Sequence, residues 1–279
     1  MPTFENDPVV SKENGTAVWG QSSSWMGVVG TSKSTDGGHG VMGDAIGTGV
    51  VGVSQTWLGV YGETHAPASS GAAAVMGDGK GGGDGVKGVA RAPGKAAVCG
   101  FQLGNNGPGV FGRGVPAGHF EGNVVVTGDL VLAGADVAEQ FDVTRQEGGG
   151  AGVGPGSVVV LDEEGALAPC TGPYDTRVVG VVSGAGDRKP ALILDRGPHG
   201  HEPEAEAGRC ALAVVGKVWC QSDASLHPIR VGDLLTTSST PGHAMAAVDR
   251  NASFGAVLGK ALSPLALGTG LVLVLVGLG

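Results

Sequence analysis

The sequence predicts an all-β protein: a thin repeat shaft wound from three chains as a triple β-helix or β-prism, then a compact β-barrel-like C-terminal domain. Three observations predict it. The chain has 55 glycines among 279 residues, nearly three times the usual share of about 7%. A four-residue unit, Gly/Ala-Val-x-Gly, recurs nine times between residues 15 and 112. After Phe141 the glycine texture gives way to short apolar runs separated by turn residues, as in a small all-β domain.

The repeat valines are residues 18, 28, 41, 50, 60, 75, 86, 98 and 110, at intervals of 9 to 15 residues. PAGHFEG, ending at Gly122, is an altered tenth copy that hands over to NVVVTGDLVLAG. Each unit reads as a very short strand, with Val on one face and the variable residue on the other. The closing glycine supplies a turn or a close backbone approach. Inserts such as SKSTDG and HAPASSG are polar and turn-rich, hence surface loops. One copy buries about one valine and cannot stand alone, whereas stacked copies can. A single-chain β-solenoid and a three-chain fibre both fit. The thin apolar content favours three chains, because solenoid coils carry more apolar residues per turn. GDGKGGGDG (77–85) lacks the lysine spacing and the strand-to-helix setting of a phosphate loop.

In the second half, PGSVVVLDEEGALAPC (155–170) reads as strand, turn, strand. RVVGVVSGAG (177–186) is a strand, and PALILD (190–195) is a near-continuous apolar run of the kind that is buried. RCALAVVGKVWCQ (209–221) reads as a pair of strands around Gly216. IRVGDLLTTS, FGAVLGKALSPL and GLVLVLV complete the set, and few stretches carry a helical stripe. The acidic segment 199–208 is a loop, and its His199 and His201 lack partners at metal-ligand spacing. Asp233 is a turn residue bonding its own backbone. Ser238, Ser239 and His243 are close in sequence without a nucleophile-elbow pattern.

Composition closes off several functions. Net charge is −9 and no basic run exceeds Arg188-Lys189, so a nucleic-acid partner is not expected. MPTFENDPVV has neither a basic nor an apolar leader region, so no signal peptide is expected. The longest apolar run, LVLVLV (271–276), is far short of the ~20 residues of a membrane helix, and no membrane insertion is expected. Cys99, Cys170, Cys210 and Cys220 show no metal-ligand spacing; no metal or cofactor is expected. Free thiols suit a reducing cytoplasm, the alternative being a Cys210–Cys220 pair across neighbouring strands. The sequons at Asn14 and Asn251 read as chance matches.

GADVAEQF, then SVVVLDEEGAL, then VVGVVSGAG, in that order over residues 134–186, resemble the C-terminal intramolecular-chaperone domains of phage appendage and tail-spike proteins, of the self-cleaving glutamic-peptidase type. The Gly-Val-x-Gly repeats resemble those of phage and bacterial fibre proteins. The resemblance implies an obligate homotrimer in which the C-terminal domain registers three chains before the shaft zips up. It also implies a cut at Ala135–Asp136, with Asp136 and Glu139 as catalytic carboxylates, one protonated as acid and one ionised as base. Val137 stands where the family usually has an aromatic residue. The same D-x-x-E spacing also reads as a helix capping box.

The expected organisation is an attachment segment (1–13), a shaft (14–126), a junction (127–135) and a trimerisation domain (136–279). The expected protein is a structural fibre or spike of a phage tail or phage-like particle, with the particle and a cell-surface receptor as partners. Its place is the virion or an extracellular particle. The rival readings are a peptidase acting once on its own chain, a glycan hydrolase and a bacterial surface or coat protein. A glycan hydrolase should set paired carboxylates beside exposed aromatics, yet few acidic residues lie near Trp19, Trp25 and Trp57.

Overall fold

The computed structural model describes residues 18–24, 26–34, 38–104, 107–144, 152–195 and 208–277. The expected attachment segment, Trp25, Asn14, His199 and His201 lie outside them. The chain divides into two units, Met1–Gly118 and His119–Gly279, and the described fold is all-β apart from one 3-10 turn, Ala68–Ser70.

Among the described residues of the first unit no strand forms, so the short strand expected of each repeat is not found in the single chain. Two backbone–backbone hydrogen bonds form there, Ser70 N–H to Pro67 O and Lys95 N–H to Ala92 O. What joins successive repeats is a close approach of glycines. A methyl added at opening Gly27, Gly40, Gly49, Gly59, Gly85 or Gly109 would lie 2.7–2.9 Å from the carbonyl oxygen of the preceding closing glycine. At the closing glycines the fit is tighter still. A methyl on Gly52 would strike both the Gly59 carbonyl oxygen and Cγ2 of Val60, and Gly20, Gly30, Gly43 and Gly100 repeat that pattern. The closing glycine is therefore required by space, the second of the two roles expected for it. Unequal repeat spacing is absorbed between paired glycines. The longest insert, between Gly62 and Ala74, carries the 3-10 turn.

Among its described residues the second unit holds ten strands: β1 (Asp136–Asp142), β2 (Val158–Leu161), β3 (Leu167–Pro169), β4 (Val178–Val182), β5 (Leu192–Leu194), β6 (Arg209–Asp223), β7 (Leu234–Thr237), β8 (Ala244–Ala246), β9 (Val257–Ala261) and β10 (Thr269–Val276). β6, β10, β9, β7 and β8 pair in a ring, since β6 bonds both β10 and β8, and the ring closes a small barrel. Barrel width grows with strand number, so five strands leave a narrow interior. Mostly short side chains fill it: Val218, Cys220, Ala244, Ala246, Ala261, Val272, Val274 and Val276 are buried in one core with Leu235 and Leu258. In β10 period two sends the valines inward and Leu271, Leu273 and Leu275 to the other face.

β2 and β3 form the expected hairpin around Asp162–Gly165. Asp162 Oδ1 accepts from the N–H groups of Glu164 and Ala166, both at 2.9 Å, and Gly165 takes φ +82. Asp233 likewise accepts from Arg230 N–H at 2.8 Å.

Three expectations are corrected. The stretch 209–221 belongs to one strand of 15 residues. A bulge at Val214 and φ +122 at Gly216 let β6 bend and continue, so its N-terminal part pairs with β1 and its C-terminal part with β10. Cys210 and Cys220 therefore sit ten residues apart on one strand, about 33 Å at the usual rise, and cannot pair within a chain. Among the described residues β5 pairs only with β1, and Leu192 and Leu194 are 41% and 42% exposed, so the run PALILD is not a buried strand.

Candidate functional site

The D-x-x-E segment is strand β1, not a capped helix start, which removes the capping-box reading. β1 lies between β6, antiparallel, and β5, parallel. Asp136 faces Gly216 in this register. A side chain at Gly216 would collide with Ala135 O and Asp136 Cα, both 2.7 Å from its Cβ position, so the glycine lets β6 close on the junction.

The Ala135–Asp136 peptide is held from both sides. Lys217 N–H donates to the Ala135 carbonyl at 3.1 Å, Ala135 N–H donates to Lys189 O at 3.1 Å, and Ala191 N–H donates to the Asp136 carbonyl at 2.7 Å. Gly134 presses on the backbone of Pro190 and Ala191. The 184–190 loop is in turn pinned by Trp219, whose indole N–H donates to Asp187 Oδ1 at 2.7 Å. A cavity of about 510 Å³ opens beside the junction, lined by Ala133–Ala135 and Asp187–Pro190.

Asp136 is 3% exposed, and neither carboxylate oxygen has a hydrogen-bond partner among the described residues. Burial pushes its pKa above the usual carboxylate range, and the neighbouring hydroxyl of Ser183, itself buried, draws it partly back. Glu139 is elsewhere. Residues three apart on a strand point to opposite faces: Asp136 and Ala138 are buried on one, while Glu139 lines a separate cavity of about 270 Å³ with Asp142, Asp195 and Arg209. Within one chain the structure does not bring the two carboxylates together.

Arg209 anchors this second cavity. Its guanidinium donates to Asp195 Oδ2 at 2.6 Å and Gln140 O at 2.9 Å, and pairs with Asp142 at 3.3 Å. Ser183, Gly216, Lys217 and Arg209 escape sequence reasoning as site residues. Only Gly216 carries a local signal, a glycine inside a strand pattern that marks close backbone approach.

The other candidates resolve as turn chemistry. Ser238 Oγ accepts from Thr240 N–H at 3.1 Å, and His243 Nδ1 lies 2.7 Å from Pro241 O, so both engage their own turn. Among the described residues no cluster of His, Cys, Asp and Glu could hold a metal, and no helix is long and apolar enough to cross a membrane. Trp19 and Trp57 are exposed on the first unit.

No protein-family model and no curated protein matches the chain. Among solved structures, it is similar to the pre-mature gene product 12 of bacteriophage phi29, at 14% identity and TM-score 0.37, over 53% of this chain and 22% of that one. It is also similar to the C-terminal fragment of phi29 gene product 12, at 14% identity and TM-score 0.33, over 50% and 99%. The N base of the phi29 head fiber gp8.5 aligns at 16% identity and TM-score 0.22, over 52% and 92%. This chain thus spans about a fifth of the length of the first of these.

Proposed function

We propose that the chain is a structural homotrimeric fibre or spike component of a phage tail or phage-like particle, attached through its N-terminal segment. Residues 14–126 are its shaft, and residues 136–279 are the domain that registers three chains. The observation that carries this reading is the repeat valine row. All nine valines, Val18 to Val110, are between 62% and 75% exposed in the single chain. A recurrent apolar row at one level of exposure, on backbone with two internal backbone–backbone hydrogen bonds among the described residues, calls for partner chains. Three chains supply them and share the burial equally. Identical short repeats can also pair out of register at little cost, which is the problem a globular registering domain solves. Loops of the shaft or the C-terminal domain contact a cell-surface receptor.

The buried, unpartnered Asp136 favours one added activity, a single cut of the chain at Ala135–Asp136. Because Glu139 faces away within its own chain, that cut requires the Glu139 of another copy or a rearranged β1. The test is intact mass of the full chain by native and denaturing mass spectrometry. A full-length trimer is expected from the fibre reading, and a monomer overturns it. A fragment beginning at Asp136 that disappears in Glu139→Ala supports the cut; an uncut chain in every preparation removes it.

A further inference from the structure

We infer that the shaft buries a second face against other copies of this chain, the row made by the variable residue of each unit, so that every strand lies between two partner strands. The inference rests on the trimeric reading above and adds to it. Alternation puts this row on the face opposite the valines. Its members include Trp19, Met42, Tyr61, Met76 and Phe111, with Val29 and Val51 between them, all 64–80% exposed in the single chain. A row facing water on a fibre should be polar, yet Lys87 is its only charged member, and a lysine stem can run along an apolar face with its ammonium at the edge.

The chain sorts its polarity differently. Ser54, Gln55 and Thr56, or Glu63 to Ser70, sit in the inserts between paired glycines. Although Ile46, Trp57, Phe101 and Leu103 are exposed there too, charged residues concentrate in the inserts, while the valine and variable positions of the repeat units are apolar apart from Lys87. Area gives the same answer. A compact monomer of 27.4 kDa exposes about 11,000 Å², whereas this chain exposes 21275 Å². Nine valines offer on the order of 100 Å² each, roughly a tenth of that excess. Counted over two partners, the valine rows offer about 1,800 Å², below the 2,000–5,000 Å² that obligate interfaces bury, and the two rows together offer about 4,000 Å², within it.

Cys99 is the variable residue of the eighth unit and is exposed in the single chain, while Cys170 and Cys220 are buried and Cys210 is half-buried. The native chain thus carries its own reporter. The assembled full-length protein is treated with iodoacetamide, the labelled site is read by peptide mass, and the same reaction is run on chain dissociated in urea. A Ser69→Cys variant provides a loop thiol for reference. Cys99 in the native oligomer should react at least about 100-fold more slowly than the loop thiol and should label fully after dissociation. An intact trimer whose Cys99 reacts as fast as the loop thiol overturns the second buried face and leaves the trimeric fibre standing. A monomer overturns both.

Discussion

A methyl group on Gly88 would come within 2.6 Å of both the Ala97 carbonyl oxygen and Cγ2 of Val98. Opening Gly85 in the same unit faces a single backbone oxygen at 2.9 Å, and alanine already occupies the opening position at Ala74 and Ala97. Gly88→Ala should therefore cost about 1–3 kcal/mol through overpacking, and Gly85→Ala less than about 1 kcal/mol, as read by denaturant unfolding of the assembled protein. Asp136 gives a second test at this scale. Its folded pKa is raised, so its contribution favours the folded state below the unfolded value near 3.9 and is lost as pH rises through the folded value. Asp136→Asn should raise stability at pH 7 by on the order of 1 kcal/mol, with the gain fading toward pH 4 in a urea series. Asp162, Asp175, Asp187 and Asp223 run the other way. Thr144, Arg177, Trp219 and Ser225 with Thr240, respectively, hold their pKa values down. Their contribution is present above about 3.9 and lost as pH falls through the folded values.

Among the elements, β6 decides the domain. Its bulge at Val214 shifts the inward face from Ala213 to Val218 and Cys220, so one strand can serve the β1 side with one half and the barrel with the other. Sequence pattern reads that parity shift as a chain break, because alternation is lost for a few residues at a glycine. β5 shows the opposite error. An apolar triplet reads as buried, yet it is three residues long and among the described residues bonds only β1. What secures this margin is Arg209, bridging Asp195 after β5 to Asp142 and Gln140 in β1. Asp195 is mostly exposed, so the bridge is worth only about 1 kcal/mol after screening. Arg209→Ala should speed amide exchange in β5 and the C-terminal half of β1 by roughly five- to tenfold. β9 and β10 should exchange unchanged, and an equal effect in β10 would contradict the local role.

For the whole molecule, the nine repeat valines, 62–75% exposed in the single chain, are what the proposed trimer would cover. The sequence alone determined the all-β class, the repeat unit with its nine valines and the β2–β3 hairpin. Each depends on local features: period-two alternation, glycine where space is short, and aspartate at turns. Only the tertiary structure decided that the closing glycines are needed for close approach, that β6 is continuous, that β5 is not buried, and that Asp136 and Glu139 lie on opposite faces of β1. These depend on which segments meet at a distance. A strand's two faces look alike in one dimension until its partners fix which is inside, and a carboxylate pair three residues apart can only be judged once the backbone between them has become helix or strand.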